Sequence, residues 1–405
     1  MDRRQFLREA TAVATGTALG ASAGCLELLG LTDRGPAGLG GGPTFQDVHR
    51  DDADTVVESA GALVDEINQD NQTIWIPGNT TIDMSGRSPT VQNATIASGR
   101  SDENSGALIT TQDRGMTSPA MSDALFTLEE NARVTGVTIR GPHHDYTDSE
   151  IVPSYIPLAP GDTYAERQQW RDDWYARAIS MQAESSQVDN CEIWGFSTGI
   201  MVGSRNTSVS PSILYSYIHN CMMTSSGYPI DVKRGTPPIY RCAFDAYRHA
   251  LNGYGTADAG YIAVECDFGP HTASHILDMH GIHNNEDGSG SPEDLRYQWR
   301  AGGTMITRRC RIMPTNVIDE THHNHGPGYV NHNEGGYTPH VHVRGVPADG
   351  FYFENNICAH PSPDEGINQS SVPGSYNTNE NGWHNVYTDG NQWGVELGNE
   401  TQTEN

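Results

Sequence analysis

The chain has 405 residues, long enough for a large core, and carries 51 Asp and Glu against 24 Lys and Arg, a formal net charge of -27. A surface this acidic repels phosphate backbones, which argues against nucleic acid as a partner. Hydrophobic residues make up 36% of the chain and recur in alternating runs, so most of it is not disordered, and no run of about 18 apolar residues offers a spanning helix.

Residues 1–24 read as an export address. Arg3-Arg4-Gln5-Phe6-Leu7 is a twin-arginine pair before an apolar position, and a weakly apolar run from Ala10 to Ala23 suits a signal peptide rather than a membrane span. Ser22-Ala23-Gly24-Cys25 resembles a lipobox, which makes Cys25 the expected lipid-modified first residue of the mature chain; cleavage without lipid is the alternative. Residues 25–45, rich in Gly and Pro from Gly30 to Pro43, read as a flexible tether. The expected location is therefore extracellular, at the cell surface, with the membrane reached only through the lipid. Sequons at Asn71, Asn79, Asn93, Asn206, Asn368 and Asn399 fit that exposure. Lys233 is the only lysine, and this depletion together with the acidity resembles the proteomes of extreme halophiles, where hydrated carboxylates keep proteins soluble in molar salt.

A folded domain is expected over 46–394, with 395–405 a frayed tail. Its first element is a helix: Val56, Val57, Ala60, Leu63, Val64 and Ile67 share one helical face, with Asp51, Asp52 and Asp54 at the N-terminal end. Thereafter the period changes to that of strands. An apolar pair five positions apart recurs as Val91/Ile96, Val134/Ile139, Val188/Ile193, Ile213/Ile218, Ile239/Phe244, Ala263/Phe268 and Tyr352/Ile357, with Thr307/Ile312 weaker. In the central group the second members are 24 to 26 residues apart, the signature of a repeat built from short strands. Cys191, Cys242, Cys266 and Cys310 each precede a second member by two residues, so they are expected to form one interior column; disulfide pairing is the rival reading for an exported chain. Three insertions interrupt the period at 142–175, 282–300 and 320–337, bringing aromatics and the run His322-His323-Asn324-His325.

The repeat resembles the right-handed parallel β-helix of the pectate-lyase-like superfamily, over about 73–394. Segments such as Tyr247-Arg248-His249-Ala250, Ser274-His275-Ile276-Leu277-Asp278-Met279-His280-Gly281 and Val343-Arg344-Gly345-Val346-Pro347 are similar to those of exported β-helix proteins from archaea and bacteria. The resemblance implies an all-β, single-stranded solenoid with a short N-terminal capping helix and lateral loop insertions. It carries no specific chemistry: the acidic calcium cluster of calcium-dependent pectate lyases and the Gly-His-Gly segment of polygalacturonases are both missing.

The residues point to one place for chemistry. Eleven of 17 histidines fall between His249 and His342, against about four for an even spread. His249-x-x-Asn252 and His275-x-x-Asp278-x-His280 are offset by 26 residues, about one rung, so His249 is expected to stack on His275 and Asn252 on Asp278. Strand alternation groups Ile276, Asp278 and His280 on one face against His275, Leu277 and Met279, and likewise His340, His342 and Arg344 against Val341 and Val343. The candidate set is His249, Asn252, His275, Asp278 and His280 for proton transfer or for a divalent metal, with Arg248 or Arg344 to neutralise a substrate carboxylate. Two function classes stay open: a polysaccharide lyase or hydrolase, and a noncatalytic glycan-binding or structural surface protein whose histidines only satisfy the backbone.

Overall fold

This computed structural model describes residues 48–101, 104–116, 124–143, 169, 172–204, 206–221, 223, 226–269, 271–272, 274–281, 299–313, 316–317, 339–370 and 382–395. The export signal, Cys25, the tail and the greater part of the three insertions, with His322, His323 and His325, lie outside them.

Short strands, each of two to five residues, alternate between three sheets, so a typical turn of the chain adds one strand to each, and His271–Thr272 and Asn316–Val317 are extra strands of the twelve-stranded sheet. All the strand pairings in these sheets are parallel, and among the described residues the sheets have eleven, nine and twelve strands. The fold is a right-handed parallel β-helix. Its interior is a stack of like residues. In the eleven-stranded sheet Val134, Val188, Ile213, Ile239, Ala263 and Thr307 occupy one inward row. In the twelve-stranded sheet Ile139, Ile193, Ile218, Phe244, Phe268 and Ile312 do the same. These are the apolar pairs of the sequence, now seen as two adjoining walls of one core.

Two pairs are corrected. Ile96 lies in register with Val134, so it is a first member, while Val91 belongs to the nine-stranded sheet. Near the C-terminal end the inward residues are Phe353 and Cys358, not their neighbours Tyr352 and Ile357, since Thr307 faces Phe353 and Ile312 faces Cys358. The sequence Phe351-Tyr352-Phe353 is apolar on both faces, which hides the alternation.

The bend from the eleven-stranded to the twelve-stranded sheet is made by one residue in the left-handed region: Asn190, Tyr215, Arg241, Glu265, Arg309 and Asn355, all with φ between 48 and 55°. Asn accepts this conformation readily, whereas Tyr, Arg and Glu are strained there. The ion pairs Arg241–Glu265 at 2.9 Å and Arg309–Glu265 at 3.2 Å tie three successive bends together. The next residue after each bend points inward, giving Cys191, Ser216, Cys242, Cys266, Cys310 and Asn356 one column. The backbone N–H of Cys191 donates to Ser216 Oγ and that of Cys310 to Asn356 Oδ1. The six described cysteines are all buried free thiols. Space in that column admits only small side chains, and a thiol fills it as a small hydrophobe.

The N-terminal helix spans Ala60–Ile67, capped by Ser59, whose Oγ accepts from the Ala62 N–H. It buries Leu63 and Ile67 against the first rung and closes that end of the core. It begins four residues later than the apolar periodicity predicts. Thr55–Val56 instead pairs with Ile74–Trp75 as a strand, and Asp54 accepts from the Thr73 N–H rather than capping the helix. β-Branched Thr55, Val56 and Val57 favour the extended conformation.

Candidate functional site

The site lies on the outer face of the nine-stranded sheet. Strand Leu277–Met279 turns Leu277 and Met279 into the core and Asp278 outward, and its neighbours Tyr228–Val232, Leu251–Gly253 and Val341–Val343 do likewise. Asp231, Asn252, Asp278 and His342 therefore stand in one outward column, about 4.8 Å apart per rung. Asn252 stacks on Asp278 as its spacing predicts. Gly253, in the adjoining inward row, leaves room for Met279, whose Cε lies 2.1 Å from where a Cβ would be.

Asp278 is the hub. Its fully buried carboxylate receives Arg344 through Nε at 3.2 Å and Nη2 at 2.9 Å. His275 Nε2 and His280 Nε2 each lie 3.0 Å from one of its oxygens, and His249 Nε2 lies 3.7 Å away. The rings of His249 and His275 stack at 4.0 Å, and His342 meets His275 edge-on at 4.6 Å. Tyr228 continues the stack, 5.7 Å from His249. Both predicted rung contacts are thus present, and His280 sits beside Asp278 as expected.

Burial pushes the Asp278 carboxyl up, but His275, His280 and His249 outweigh it and hold the group well below the usual carboxylate range. Burial acts on the imidazoles in the opposite sense: His249 is driven well below its ordinary value, with His275 and Arg248 adding, and His275 is lowered against the pull of Asp278. His342 is pushed down to about 3 by burial and by His275. The Arg344 guanidinium meets the carboxylate, and burial favours the neutral forms of His249, His275 and His342. Neutral imidazoles can accept protons, which is the chemistry this arrangement offers.

Three expectations from strand alternation are corrected. His275 shares a side with Asp278, not with Leu277 and Met279, while Ile276 is buried in the core. Both residues precede the strand, where the chain is still turning, so the two-residue period does not apply. His340 likewise points away from His342 and Arg344: its Nε2 accepts from the His360 N–H at 3.1 Å, and its ring lies beside Trp393. Arg248 donates through Nη1 to the Tyr228 hydroxyl at 3.0 Å.

Asp231, Lys233 and Tyr254 also belong to this face, without a spacing pattern that places them there. Asn252 Nδ2 donates to Asp231 Oδ1 at 2.7 Å, Lys233 Nζ lies 2.7 Å from Asp231 Oδ2, and Lys233 also sits 4.6 Å over the Tyr254 ring. The uniqueness of Lys233 in the chain was a signal. For a metal, His249, His275 and Asp278 bring three ligand atoms within 4.8 Å of one another.

His340 gives a pH test of the burial at this edge. Burial, with His360 adding, pushes it down to about 3. The unfolded ring titrates near 6.5, so the unfolded state binds the proton first; the stability is present above that value and is lost as pH falls toward 3. His340→Gln keeps an acceptor for the His360 N–H and should remove about 2–3 kcal/mol of the loss between pH 6.5 and 4.5, above the range of the carboxylates. Urea unfolding across that range checks it; parallel curves for wild type and variant contradict it.

No protein-family model matches the chain, and no curated protein matches it. Among solved structures, the crystal structure of Escherichia coli YbhC is similar at 11% identity and a TM-score of 0.39, covering 85% of this chain and 86% of that one.

Proposed function

We propose that the chain is exported, held at the cell surface through Cys25, and acts on an extracellular polysaccharide laid along the outer face of the nine-stranded sheet. The observation that carries this reading is the Asp278 cluster: one buried carboxylate with His275, His280 and Arg344 within about hydrogen-bond distance. Elimination fits it better than two-carboxylate hydrolysis. Asp231 and Asp278 are both ion-paired, to Lys233 and Arg344, so neither supplies the protonated carboxyl that hydrolysis needs. In elimination, an imidazole takes the proton next to a uronate carboxylate, the bond from carbon to the leaving sugar oxygen breaks, a carbon–carbon double bond forms, and the imidazolium returns its proton to the departing oxygen. His280 is suited to the base: its side chain is 27% exposed and its Nε2 lies 3.0 Å from Asp278. Lys233 and Arg344, cations on the same face of a chain of net charge -27, suit the substrate's acid group.

A panel of acidic and neutral polysaccharides assayed in molar salt tests it. The expected result is ultraviolet-absorbing unsaturated product from an acidic polymer, reduced about 100-fold or more in His280→Ala. New reducing ends without that absorbance mean hydrolysis and overturn the elimination. The second reading, a noncatalytic glycan binder, is favoured by the mutual hydrogen bonding of Asp231 and Asn252 and by the burial of Asp278. It predicts no turnover, with binding unchanged in His280→Ala. The anchor has its own check. Cys25→Ser should move the protein from the membrane to the soluble fraction, and unchanged retention contradicts the lipid.

A further inference from the structure

We propose that His249 Nε2, His275 Nε2 and the Asp278 carboxylate bind one divalent transition-metal ion of the zinc class. The site does not depend on the polysaccharide reading.

His249 Nδ1 lies 2.7 Å from the His275 carbonyl oxygen, which can only accept, so Nδ1 carries the proton and Nε2 is a bare lone pair. His275 Nδ1 lies 3.2 Å from Ser274 Oγ, so its ring is also held by the nitrogen turned away from Asp278. A bond on the far nitrogen sets the ring orientation of a metal-ligating histidine, and one to a carbonyl, as at His249, also fixes the tautomer. Both Nε2 atoms are buried and make no hydrogen bond. They face the Asp278 oxygens at 3.7 and 3.0 Å. For His249 this sets one acceptor against another in a dry environment, an arrangement that a cation between them relieves.

Distances fit a transition metal. Bonds of 2.0–2.1 Å in a tetrahedron separate ligand atoms by about 3.3 Å. The two approaches to Asp278 bracket that value, and all three ligand atoms lie within 4.8 Å of one another. Arg344 does not occupy the whole carboxylate: it takes one lone pair on each oxygen and leaves one on each. Two imidazoles and one carboxylate exclude magnesium and calcium as preferred occupants, since both favour all-oxygen sites. Three protein ligands leave a coordination position open, as in reactive rather than structural zinc sites. With Arg344 already balancing Asp278, that position calls for an anionic ligand such as hydroxide or a substrate carboxylate.

The test uses the untagged full chain, stripped with a chelator and titrated with Co2+ and then Zn2+. Visible d–d bands should appear at one equivalent of Co2+ per chain and disappear as Zn2+ displaces it. His249→Gln and His275→Gln should each weaken binding at least 10-fold, while His340→Gln, whose ring faces His360 and Trp393 instead, should not. Two results overturn the site. One is the absence of d–d bands at millimolar Co2+. The other is equal binding in both glutamine variants, with loss only when His322, His323 and His325 are replaced together. If neither glutamine variant folds, X-ray absorption of the zinc-loaded wild type decides: a shell of two imidazoles and carboxylate oxygen supports the site, and any other ligand set overturns it. None of these readouts uses polysaccharide, so failure of the metal and failure of the enzymatic reading are separate outcomes.

Discussion

Asp278→Ala is expected to lower the unfolding free energy by about 3–5 kcal/mol, the cost of removing one partner of a buried ion pair. The loss comes less from the broken contacts than from what is left behind. Arg344 would keep a guanidinium that is largely buried with no carboxylate to receive it, and His275 and His280 would lose the oxygens that each now faces at 3.0 Å. Asp278→Asn should cost less, because an amide oxygen still accepts from Arg344 although the charge is gone. The informative variant is Asp278→Leu with Arg344→Met. Replacing both charges by apolar groups removes the desolvation of each, so the double variant should recover most of what the single one loses. Urea unfolding at fixed high salt measures all three, since guanidinium would itself screen the pair. A single variant within about 1 kcal/mol of wild type would show that water already reaches the carboxylate and that the cluster is a surface feature.

The same cluster shows what the sequence could and could not reveal. Offsets of 26 residues were enough to stack His249 on His275 and Asn252 on Asp278, because one rung adds a nearly constant length of chain and equivalent positions must coincide. The side to which each residue points was legible only inside strands. Asp278 and His342, flanked by core residues on both sides, were assigned to their face, whereas His275 and His340 precede their strands and were not. Asp231 escaped because only 21 residues separate it from Asn252, so the period seen elsewhere does not align them. Arg344 lies 66 residues from Asp278 in the chain, across an insertion, and its bidentate contact is a tertiary fact with no local pattern. Face and rung thus come from periodicity; partners come from the turns and insertions that break it.

Phe353→Ala is expected to cost about 3–5 kcal/mol and Tyr352→Ala less than about 1 kcal/mol, although the two residues are adjacent, aromatic and of similar size. Register decides the difference. Phe353 pairs with Thr307 below and Thr388 above, in the inward row, and is fully buried near Phe351 and Trp393. Truncating it leaves a cavity between rungs whose positions are fixed by backbone hydrogen bonds, so the walls cannot collapse to fill it. Tyr352 points outward and stacks on Tyr387 at 5.2 Å, and Tyr387 is itself 43% exposed. Removing it loses that stack and the hydroxyl's hydrogen bond to the Asp349 carbonyl, both at the surface, and opens no void. Had the apolar pair of this rung been Tyr352/Ile357, as the sequence spacing suggests, every side chain of the rung would face the other way and the order of the two costs would invert. Urea unfolding of the two alanine variants separates the registers: the larger loss for Tyr352→Ala would place Phe353 outside and contradict the inward row from Val134 through Thr307 to Phe353.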